Sequence, residues 1–151
     1  MRAVHVLVAE DDDDHRFLTV RALREVAEVP LEIAAVSDGE QTLDYVYGRG
    51  PYHDRDRPDL LVLDLKMPKM DGFGVLERLK GDPTTASMPI VVLSSSNHTG
   101  DIDGAYDLGT NAYMTKPTSA SGFREHLRCL ASYWAGCTKL PSPPSSGSSS
   151  L

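Results

Sequence analysis

LLVLDLKMPKMDGFGVLERL, residues 60–79, decides the architecture of this chain. It opens on an unbroken apolar run, which reads as a strand buried on both faces rather than one alternating between core and water. The strand is read through Asp64, so a carboxylate arrives at its carboxyl end. Asp71-Gly72 marks a turn. Phe73, Leu76 and Leu79 then recur at helical spacing and give a helix with one apolar stripe.

Working outward, four more apolar runs read as strands: Val4–Ala9, Leu31–Val36, Ile90–Ser94 and Ala112–Thr115. Amphipathic stretches separate them. Phe17, Leu18, Ala22, Leu23 and Val26 form one stripe, and Leu43, Val46 and Tyr47 another. Phe123, Leu127, Leu130, Ala131 and Trp134 form a closing helix. The stretch after Ser94 is a weak helix former because of Gly100 and Gly104. Five strand–helix alternations with right-handed crossovers predict a doubly wound α/β domain with helices on both faces of a parallel sheet. Its ligands belong at the carboxyl ends of the strands, near the point where strand order reverses.

Composition narrows the function. A chain of 151 residues suits one compact domain, read here as residues 1–137 with a Pro/Ser tail over 138–151. Formal net charge is −7, which repels a bare polyanion and argues against nucleic acid as partner. No apolar run is long enough for a membrane helix, and the N-terminus lacks a signal-peptide layout. Cys129 and Cys137, if on one helix, are roughly 12 Å apart along its axis, too far to bridge. Helix packing suits both thiols, and a reduced, cytoplasmic setting fits. Residues 48–58, GRGPYHDRDRP, make a longer polar loop than most connections.

The strand ends carry the chemistry. The first ends in Glu10 and Asp11, the third in Asp64 followed by Lys66, the fourth in Ser94, and the fifth in Lys116-Pro117. Strands one, three and four are neighbours in such a sheet, so these carboxylates share one crevice. Their mutual repulsion calls for a hard divalent cation, and Mg2+ takes a few carboxylates plus waters and phosphate oxygens. Lys116 and the metal would let Asp64 attack a phosphoryl group, with the Ser94 hydroxyl donating to one of its oxygens. Asp12, Asp13 and Asp14 read instead as charges at a helix N-terminus.

Over roughly residues 4 to 135 the chain resembles the receiver domains of two-component response regulators. The matching motifs are VLVAEDD, the opening segment around Asp64, PIVVLSSS and NAYMTKP, and the run from Asp64 to Gly72 is the most specific of them. The resemblance implies a flavodoxin-like (βα)5 domain with parallel strand order 2-1-3-4-5. It implies that Asp64 is the phosphoacceptor, and that Glu10, Asp11, Asp64 and the backbone carbonyl of Lys66 hold Mg2+. Ser94 and Lys116 would bind the phosphate, Tyr113 would be the aromatic switch, and Pro117 would follow a cis peptide bond. Lys66 and Ser96 stand where the family tunes phosphoryl loss. Such a protein is a signalling switch rather than a general enzyme, driven by a histidine kinase. With no DNA-binding domain following, output is expected through another protein, relay or self-association.

A narrower resemblance concerns the small receivers that partner phytochrome-type histidine kinases. The long loop before the third strand, the Tyr133-Trp134 pair and residues 140–144 echo them. The apolar last helix, with Trp134, is a candidate homodimer surface. Three rivals fit less well. A Mg2+-dependent phosphohydrolase commonly has a second Asp two residues after its nucleophile, where this chain has Lys66. A flavin carrier needs phosphate-binding donors after the first strand, where Glu10–Asp14 would repel phosphate. A never-phosphorylated adaptor would not need the complete set of residues.

Overall fold

A computed structural model describes residues 3–26, 29–137 and 140–141, with the side chains of Val26 and residues 135–137 excepted. The five apolar runs form one parallel sheet: β1 (Val4–Ala9), β2 (Leu31–Val36), β3 (Leu60–Leu63), β4 (Ile90–Ser94) and β5 (Ala112–Thr115). Strand order is β2-β1-β3-β4-β5. The crossovers contain α1 (Asp13–Val26), α2 (Gly39–Tyr47), α3 (Gly72–Gly81) and α4 (Thr99–Asp107), and α5 (Ala120–Leu130) follows β5.

Alternate residues of each central strand enter two separate cores, which explains why the runs are almost wholly apolar. Leu7, Leu61, Leu63 and Val92 meet Leu43, Val75, Leu76 and Leu79 on one face. Val6, Val8, Leu60 and Val62 meet Ala22, Leu23, Phe123 and Leu127 on the other. Each fully buried leucine stabilises the fold by about 1.5–3 kcal/mol relative to exposure. Both faces of β3 are sealed, so Asp64, the next residue, has a rigid base.

Side chains set where the helices begin. Asp38, Asp71 and Ser119 cap α2, α3 and α5 by accepting from Gln41 N–H, Gly74 N–H and Gly122 N–H. His98, at the same place before α4, makes no such bond, and α4 buries only Ala105. That is the weak helix the two glycines predict. Gly72 meets a different demand: a Cβ there would lie 2.4 Å from the Asp64 carbonyl oxygen. The Asp71-Gly72 turn therefore caps α3 and lets its backbone close on the end of β3.

Three expectations are corrected. Phe17 and Leu18 are 64% and 42% exposed, off the α1 stripe. The buried positions are Thr19, Ala22 and Leu23, and a residue one or two positions from a stripe is turned 100–200° around the axis. The closing helix is also not α-helical throughout: α5 ends at Leu130 and Ala131–Cys137 carries on directly as a π-helix. Phe123, Leu127, Leu130 and Ala131 are buried, and Trp134 packs against the same cluster. Finally, no peptide bond among the described residues is cis, so the bond before Pro117 is trans. The trans form of an X–Pro bond is favoured intrinsically by about 0.5–1 kcal/mol. Lys116 reaches its partners without the cis isomer.

The loop over 48–58 holds a 3-10 turn, Gly50–Tyr52. It is fastened where the Tyr52 ring packs 4.9 Å from Tyr45, whose hydroxyl lies 2.7 Å from Nε2 of buried His5. Exposed Cys129 lies on α5. The Cys137 side chain and residues 142–151 of the tail lie outside the described residues.

Candidate functional site

Because β1, β3, β4 and β5 run parallel and in contact, their carboxyl ends open on one crevice. Backbone bonds fix its floor: Asp64 N–H donates to Ala9 C=O at 3.0 Å, and Lys116 N–H to Ser94 C=O at 2.8 Å. Glu10, Asp64, Ser94 and Lys116 are all buried, whereas Asp11 is exposed at the rim.

Three charges meet in this floor. The Lys116 ammonium donates to Asp64 Oδ2 at 2.9 Å and to Glu10 Oε1. Two carboxylates with one ammonium leave an excess negative charge out of water. Burial, aided by Asp64, pushes the Glu10 carboxyl up to about 7 against the opposing pull of Lys116. Burial alone would lower Lys116, but its bonds to Glu10 and the charge of Asp64 more than offset this, so its pKa rises and it stays an ammonium.

Glu10, Asp11 and Asp64 each offer an oxygen, and these lie within 4.8 Å of one another. Hard oxygen donors crowded in this way suit a divalent cation of the Mg2+ or Mn2+ type. The unbalanced charge at Glu10 is what such an ion would offset, so the residues present fit a metal. Lys66 N–H points to Asp64 Oδ1 at 3.4 Å, and its side chain is exposed.

Ser94 sits beside this group, yet its hydroxyl accepts from Ser96 N–H at 3.3 Å. Tyr113 is half-buried and donates its hydroxyl proton to the Ser96 carbonyl at 2.7 Å. The Ser96 hydroxyl donates to Asp101 on α4 at 2.6 Å. Ser96 thus links the two expected switch residues to α4.

Two residues at the site escaped the sequence reading. Arg16 donates to the carbonyls of Glu10 (2.9 Å) and Asp11 (3.4 Å) and pairs with Asp13, bracing the acidic turn. His15 presents Nδ1 to Lys116 Nζ at 3.1 Å. The available signal was spacing, since His15 lies one helical turn beyond Asp11.

Comparison with known proteins agrees with this geometry. The model of the response regulator receiver domain matches residues 6–128. Response regulator Rcp1 of Synechocystis sp. is 30% identical, covering 91% of this chain and 92% of its own length. The structure of the phosphorylated cyanobacterial phytochrome response regulator RcpA superposes with a TM-score of 0.89 at 36% identity, over 93% of this chain and all of that one. The Mn2+-bound form of Rcp1 gives 0.88 at 29%, over 92% and 99%. With the acidic crevice, the strand order and these likenesses in agreement, the chain belongs to the response regulator receiver family.

Proposed function

We propose that the protein is a single-domain response regulator whose Asp64 accepts a phosphoryl group from a histidine kinase in a Mg2+-dependent step. One observation carries the reading: the oxygens of Glu10, Asp11 and Asp64 gather within 4.8 Å while Lys116 joins Asp64 to Glu10. Bound through Glu10, Asp11, Asp64 and the Lys66 carbonyl, Mg2+ would supply the positive charge that phosphoryl transfer needs.

The chain's own residues do the rest. Asp64, fixed by the sealed end of β3, is the nucleophile. Lys116 already bonds one of its oxygens and is placed to meet a phosphoryl oxygen. Ser94 would exchange its bond from Ser96 N–H for a donor bond to that group, loosening Ser96 from one partner. Tyr113 and Asp101 are bonded to Ser96, so the change would pass to α4 and the exposed edge of β5. Catalysis is confined to the protein's own phosphorylation and dephosphorylation.

The phytochrome response regulators among its relatives support a phytochrome-type kinase as partner, acting in the reducing cytoplasm, with an unidentified protein downstream. We extend the proposal to a homodimer. The apolar stripe of α5 is buried in the protein's own core, so association would use Tyr133, which is 55% exposed and packs edge-on against Trp134.

The test is labelling by phosphoramidate or a kinase. Asp64→Asn keeps size but loses the nucleophile, and its labelling should fall below about one-hundredth of wild type, about 3 kcal/mol in barrier. Full labelling of the variant would place the acceptor elsewhere.

A further inference from the structure

A lysine ammonium has three N–H donors and no acceptor. Lys116 directs its donors at three acceptors: Glu10 Oε1, Asp64 Oδ2 at 2.9 Å and His15 Nδ1 at 3.1 Å. Since the ammonium can only donate, the His15 ring must present an unprotonated Nδ1 and carry its proton on Nε2.

The ring is itself held in place. His15 lies in the first turn of α1, with its backbone N–H donating to Asp12 Oδ1 at 2.9 Å and its carbonyl accepting from the Thr19 hydroxyl at 2.7 Å. The imidazole stands edge-on to Phe123 of α5, with centroids 5.5 Å apart. Phe123 packs against one side of the ring, and α1 fixes the backbone that carries it.

We infer that His15 is a positioning residue for phosphoryl transfer, acting through Lys116. This rests on Asp64 being the phosphoacceptor. In reaction with phosphoramidate, an Asp64 oxygen forms the new bond to phosphorus as the P–N bond breaks. The protonated nitrogen keeps the bonding pair and leaves as ammonia. Throughout, Lys116 can retain Glu10 and His15 while its third N–H passes from the Asp64 carboxylate to a phosphoryl oxygen. His15 holds the cation still while one of its partners changes.

The experiment compares wild type, His15→Leu and His15→Asn for the rate of phosphorylation by phosphoramidate at saturating Mg2+, read by intact mass. Leucine fills the space against Phe123 but offers no acceptor, whereas asparagine restores one. His15→Leu should react about tenfold more slowly and His15→Asn within about threefold of wild type, as expected for one hydrogen bond to a charged group. Ring 15N NMR should show the Nε2-protonated tautomer, with an Nδ1 resonance that moves in Lys116→Met. That spectrum and His15→Asn carry the test if His15→Leu does not fold.

An Nδ1-protonated ring, or a His15→Leu rate equal to wild type, would overturn the inference alone. So would equal slowing by leucine and asparagine, which would mark a packing role. A wild type that takes no label while Nδ1 accepts from Lys116 would overturn the phosphoacceptor reading itself, and this role with it.

Discussion

Glu10 shows how a single buried acid can tie metal binding to pH. Its carboxyl is raised by burial to about 7, and it must lose its proton before it can ligate a cation. Mg2+ affinity should therefore weaken about tenfold for each pH unit below 7, and level off above it. Glu10→Gln should bind more weakly but lose that slope, a difference isothermal titration calorimetry reads directly. The residues of this site were unevenly legible. Glu10, Asp11, Asp64, Ser94 and Lys116 end strands, and strand ends converge whatever the details of packing. His15 and Arg16 act from a helix, where one position of phase decides whether a side chain meets the crevice or water.

Among the elements, that phase was the hardest thing to read. Two sets of α1 residues fit the same window as an apolar stripe, and the true one includes Thr19, polar by type. Its hydroxyl donates to the His15 carbonyl within the helix, so it can be buried at little cost. The strands carried less ambiguity, because both faces of the central ones are covered and their runs are apolar apart from His5 in β1 and Ser94 at the end of β4. The weakness of α4 was legible from its two glycines, whereas the absent cap at His98 emerged only from the structure. It can be tested. A Cβ at Gly104 would meet Phe73 Cε1 at 3.4 Å, ordinary contact, so Gly104→Ala should stabilise the protein by about 0.5–1 kcal/mol in urea unfolding. If α4 must move for signalling, the same variant should show a smaller response to beryllofluoride.

At the scale of the molecule, the sheet separates chemistry from support. Opposite the crevice, at the amino end of β1, buried His5 contacts Tyr45, and its backbone N–H donates to Asp59 at 2.9 Å. Burial lowers the His5 pKa from 6.5, despite the opposing charges of Glu32 and Asp59. The unfolded chain thus binds a proton that the native state refuses, so this term is present above pH 6.5 and is lost on acidification. In metal-free buffer, the slope of unfolding free energy with pH just below 6.5 should become less positive, or more negative, in His5→Gln. A slope unchanged by the substitution would place the ring's titration elsewhere.

The two ends of β1 consequently oppose one another. Between 4.5 and about 7 the native state keeps a proton on Glu10 that the unfolded chain has released, so that end loses stability as pH rises. Just below pH 6.5 the His5 end gains it. A flat melting temperature across mildly acidic buffers would then record compensation between two titrations five positions apart in the chain. It would be no evidence that either group is indifferent to protons. Binding Mg2+ removes only one of the two, so adding the ion should unmask the histidine's slope and give a metal-loaded protein more sensitive to acid than the free one.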